Sequence, residues 1–64
     1  MKSDIIDIDG AIEARTENAI LFHTGDKEQA AWLPLSLIEV DETGIAGIVT
    51  VTLPEGLATS KGLI

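Results

Sequence analysis

Sixty-four residues with 11 acidic and 4 basic side chains, a net charge of −7 and no cysteine exclude several classes of protein at once. Disulfide frameworks and thiolate metal sites need cysteine. Phosphate backbones and anionic membranes are held by clustered Lys and Arg, so direct nucleic-acid binding and membrane binding are not expected.

A chain of this length makes one domain with a modest core, burying only roughly 60% of the surface its unfolded state exposes. With 45% hydrophobic residues it can still collapse. Small scaffolds usually add a disulfide, a metal or a second chain. Having no cysteine and one histidine, this one is expected to self-associate, as a homodimer. No apolar run has the form of a signal peptide or the length of a membrane span, and a cytoplasmic setting is expected.

The clearest periodic signal lies in residues 6–17. Ile6, Ile8, Gly10, Ile12, Ala14 and Thr16 alternate with Asp7, Asp9, Ala11, Glu13, Arg15 and Glu17. Period two predicts a long strand with an aliphatic inner face and a charged outer face, and Gly10 marks a bulge or bend within it. Asn18 reads as a turn, and residues 19–24 as a second strand with Ile20 and Phe22 on one face and Leu21 and His23 on the other.

Gly25, Asp26 and Lys27 read as a hairpin loop. Residues 29–33 then form the partner strand, which Pro34 stops or passes to a sheet edge because it cannot donate to the ladder. Residues 35–38 suit a turn or one helical turn, after which Ile38 and Val40 alternate with Glu39 and Asp41 in a short strand. Glu42, Thr43 and Gly44 close it, and the β-branched run 45–53 reads as the last strand. Pro54 and Glu55 suit a helix start and Lys61-Gly62 its end, predicting a helix over 54–61 that Gly56 weakens by about 1 kcal/mol. The fold class is mainly β: a small, bent antiparallel sheet or SH3/OB-like barrel of four to five strands with a short C-terminal helix. Closure or dimerisation would cover Leu21, Leu33 and Ile48.

Several chemistries fail on spacing. Asp7-Ile8-Asp9-Gly10 suggests a calcium loop, but aligned on Gly10 its first and last ligand positions fall on Ile5 and Thr16. His23 is the one candidate base at neutral pH, and nothing in the spacing brings Ser3, Ser36 or Ser60 to it; a solvated outer position is expected. Gly44-Ile45-Ala46-Gly47 is too short for a phosphate loop and lacks its lysine. No enzyme activity and no catalytic, cofactor-binding or metal-binding residue are expected.

What remains is the acidic strand face. Asp7, Asp9, Glu13 and Glu17 project from one side, where residues i and i+2 lie about 6.6 Å apart, at most roughly half the charge density of one DNA strand at ~3.4 Å per phosphate. Such a row either mimics phosphates toward a basic protein surface or only keeps an exposed face charged against aggregation. Trp32, the single tryptophan, reads first as the largest piece of the core and second as an interface anchor.

Residues 31–39, with their Trp-x-Pro-x-Ser turn, and the tail from Val49 through Pro54-Glu55 to Ile64 resemble small accessory proteins of phages and mobile elements. The similarity spans residues 15–64 and departs at Gly56, where a bulky aromatic is usual. The resemblance implies a phage or plasmid origin and, as with anti-CRISPR proteins, occupation of a host protein. The expected function is therefore a non-enzymatic inhibitor that covers a basic surface of a nucleic-acid-binding defence complex through Asp7, Asp9, Glu13, Glu17 and Trp32. The alternative is a homodimeric adaptor that makes its contacts through aliphatic outer positions and Leu63-Ile64.

Overall fold

The computed structural model describes residues 4–64. Five strands, β1 (Ile5–Arg15), β2 (Ala19–His23), β3 (Ala31–Pro34), β4 (Glu39–Glu42) and β5 (Val49–Pro54), precede the short helix α1 (Glu55–Ser60). Single 3₁₀ turns occupy Lys27–Gln29 and Leu35–Leu37. All pairings are antiparallel, in one open sheet of order β3-β2-β1-β5-β4. Of the two architectures expected, the open sheet is the one found, with β3 and β4 as its edges.

The long first strand organises the sheet by serving two partners in succession. Ile5 to Gly10 pair with β5, and Ala11 to Arg15 pair with β2. Gly10 sits at the handover and is buried. A Cβ there would meet the Phe22 ring at 2.6 Å (Cζ) and 3.0 Å (Cε1), and the carbonyl oxygen of His23 closer still. The glycine therefore permits close approach of β2 to β1. The bulge itself comes later: Ile12 faces Phe22 and Ala14 faces Leu21, leaving Glu13 as the extra residue.

That extra residue reverses the alternation. Up to Ile12 the even positions face the core, as expected. Beyond the bulge Ala14 joins the outer face opposite Leu21, and Arg15 shares the inner side with buried Ile20. Arg15 was expected among the outward charges. It instead borders a groove with Ile12, Glu42, Ile48 and Val49.

Ile20, Phe22, Leu33, Ile38, Val51, Leu53 and Ala58 form the buried core, with Ile6, Ile8, Ile12, Val49, Leu57 and Leu63 packed against it. The registers explain the grouping, because Ile20↔Leu33, Ile6↔Leu53 and Ile8↔Val51 place facing residues on one side of the pleat. Leu33 was expected to need cover from closure or a second chain, yet its own domain buries it completely. Leu21 and Ile48 are half-buried.

α1 covers the open side and ends as its sequence suggests. Gly62 has φ +73°; its N–H donates to the Thr59 carbonyl at 3.1 Å, and the Leu63 N–H donates to Ala58 at 2.9 Å. This is a Schellman cap, and it turns Leu63 back onto the core. Leu63 is thus engaged within the domain, while Ile64 is exposed.

Two segments depart from expectation. Residues 45–48 form a turn and not the start of β5: Gly44 and Gly47 take φ +89° and +81°, a region β-strands do not use. Thr43 fastens this turn, its hydroxyl donating to the Ile48 carbonyl (2.9 Å) and accepting from the Ile45 N–H (3.1 Å). The second departure is Trp32, which is 45% exposed. It faces Leu21 across the ladder while its neighbour Leu33 faces Ile20, so alternation sends the leucine inward and the tryptophan outward.

Candidate anionic interface

The outer side of β1, β5 and β4 carries the candidate site. Register fixes its layout: Asp7 lies opposite Thr52, which lies opposite Glu39, and Asp9 lies opposite Thr50, which lies opposite Asp41. Paired residues share a face, giving two parallel rungs of carboxylate, threonine and carboxylate. With about 6.8 Å between alternate residues and ~4.8 Å between strands, the four acids mark the corners of a patch of roughly 7 by 10 Å.

Both aspartates are held in place. The Thr52 hydroxyl donates to Asp7 Oδ1 and the Thr50 hydroxyl to Asp9 Oδ1, each at 2.6 Å. Hydrogen bonds this short to a carboxylate are of the charge-assisted kind. Both aspartates are exposed. Among the described residues no lysine or arginine occupies a register position on this face.

The expected row of four acids is only half realised. Asp7 and Asp9 stand together. Glu13, displaced by the bulge, lies 3.8 Å from Lys27 Nζ and 3.5 Å from His23 Nε2. Glu17 falls beyond the end of β1, in the turn to β2 where Thr16 organises the backbone. The missing half comes from β4 as Glu39 and Asp41. Their alternation with Val40 was legible, but their place beside Asp7 and Asp9 depends on β5 running between β1 and β4.

His23 is not the solvated residue expected. It is 8% exposed, faces Ala11 across the ladder, and its Nδ1 accepts the Gly25 N–H at 3.2 Å. That bond pins the turn after β2, so the imidazole closes a loop. Ser36 and Ser60 make no hydrogen bond to it, and Ser3 lies outside the described residues. Among the described residues no group of three or more His, Asp or Glu is gathered to hold a metal ion, and no helix is long and apolar enough to cross a membrane.

The other half of the outer side differs in kind. Ala14, Leu21 and Trp32 line up across β1, β2 and β3. The sheet thus presents an anionic half and an apolar half, divided near the Glu13 bulge. The two halves define a small antiparallel domain with a patterned outer face. Family models, curated proteins and solved structures give no match to the chain.

Proposed function

We propose that the chain is a non-enzymatic binding protein whose β1-β5-β4 face occupies a Lys/Arg-lined surface of a nucleic-acid-binding protein, as a phage or mobile-element inhibitor of a host defence complex would. The supporting observation is the two-rung array of Asp7, Asp9, Glu39 and Asp41, with two of its carboxylates oriented by threonine hydroxyls. Fixed charges lose less entropy on docking than free ones, and an unbroken anionic face steers basic partners at a distance. Trp32 and Leu21 add an apolar anchor beside it.

The test is capture of nucleic-acid-binding proteins from host extract. A variant carrying Asp7→Asn, Asp9→Asn, Glu39→Gln and Asp41→Asn should retain them at least about fourfold less well, given ~0.2–1 kcal/mol per exposed charge pair. Added salt should weaken the wild type far more than the variant, and DNA or RNA should displace the captured protein. Glu13→Gln with Glu17→Gln should behave as wild type. Equal retention by the wild type and the fourfold variant would remove the reading.

A self-associating module is the second reading. The observation favouring it is the exposed ladder of Ala14, Leu21 and Trp32 beside an edge strand, β3, that carries no charge. Sedimentation at micromolar concentration should then show a dimer that Trp32→Ser converts to monomer. A wild-type monomer would remove this alternative.

A further inference from the structure

The anionic face ends at an apolar groove. Ile5, paired with Pro54 on the same outer side, is 53% exposed, and Leu37 in the preceding 3₁₀ turn is 57% exposed. With Ile38, Thr52 and Glu39 they line a cleft of about 340 Å³. Its floor is firm, because Leu53 and Ile38 beneath it belong to the buried core.

Carboxylates border this groove on its sheet side. Asp7 and Glu39 follow Ile5 and Leu37 on the sheet side. On the other side the Glu55 N–H donates to the Asp4 carbonyl at 2.6 Å, which ties the start of α1 to the residue before β1. An apolar slot bordered by carboxylates and by no lysine or arginine in its lining selects its occupant by charge. Anionic membranes and nucleic acid are repelled. A second copy of this chain is disfavoured as well, with 11 acidic residues against 4 basic.

We infer that the groove seats one apolar side chain of an extended basic polypeptide, with Lys or Arg beside it reaching Asp7 and Glu39. The inference rests on the anionic-face reading and names the partner's chemistry more closely. Recognition then has two parts. The carboxylates bring any basic segment to the face, and the groove distinguishes a segment with an aliphatic residue at the right place from one without.

The probes are two labelled synthetic peptides, identical runs of Lys and Arg around a single central leucine or a single central alanine. Fluorescence anisotropy at low salt should show the leucine peptide binding about tenfold more tightly, equivalent to ~1.4 kcal/mol. Leu37→Ser and Ile5→Thr alter side chains already more than half exposed, so both variants should fold. They should erase the difference between the peptides while leaving affinity for the alanine peptide unchanged. The fourfold Asn/Gln variant should weaken both peptides alike. Equal, salt-sensitive binding of the two peptides would overturn the groove and leave the anionic face standing. Absence of salt-sensitive binding by either peptide would overturn both.

Discussion

Gly10→Ala should cost the protein about 3 kcal/mol or more, roughly a third of its stability at the least. Overpacking usually costs ~1–3 kcal/mol because side chains yield. At Gly10 one of the obstructing atoms is the His23 carbonyl oxygen, which belongs to the backbone of β2 and cannot move without disturbing the β1–β2 ladder; the Phe22 ring at 2.6 Å is the other. A 64-residue domain at ~0.05–0.15 kcal/mol per residue has roughly 3–10 kcal/mol in all. Urea denaturation followed by circular dichroism measures the loss. In a Phe22→Leu background the penalty should shrink but not vanish, since shortening the ring relieves one clash and leaves the carbonyl. A Gly10→Ala protein as stable as wild type would show that the two strands are not so close at the handover.

The handover also explains what could and could not be read from the sequence. Alternation through residues 6–12 located β1 and its inward aliphatics, since side-chain direction there depends only on the pleat. Two similar aliphatic-acidic alternations, in β1 and β4, were visible separately. What joins them is strand order, set by residues about 40 positions apart, for which a single periodic stretch carries no signal. Thr50 and Thr52 read as ordinary β-formers for the same reason, although their hydroxyls orient Asp9 and Asp7.

The bulge is the other source of difference. One unpaired residue at Glu13 moves Ala14 outward and Arg15 inward and gives Glu13 to Lys27 and His23. A bulge is a property of two strands, so Gly10 drew attention to the right region without marking the residue that slips. Trp32 and His23 show how size and polarity mislead in a small domain. The tryptophan is on an edge strand whose inner position is already filled by Leu33. The histidine is buried because its ring caps the next turn.

Phe22→Ala should be the most damaging single truncation, costing about 3–5 kcal/mol, half or more of the stability of a domain in the middle of the expected range. Phe22 is fully buried, and it lies at the one place where the two halves of the sheet are joined: it faces Ile12 on β1 just before the bulge and Ala31 on β3. The ring also lies over Gly10, the small residue that lets it fit. No neighbour can collapse into the space without pulling β1 from one of its partners, so the cavity term should be large. Phe22→Leu should keep most of the stability, because an aliphatic of similar volume still fills the site. Thermal unfolding by circular dichroism distinguishes these outcomes. The anionic face should fail with the core: Asp7 and Asp9 are aligned with Glu39 and Asp41 only while β1 and β5 stay paired. At temperatures where Phe22→Ala has melted and the wild type has not, its binding of basic peptides should therefore fall to that of an unfolded chain of equal charge. A Phe22→Ala protein that melts near the wild-type temperature would mean that the strands are held by something other than this core.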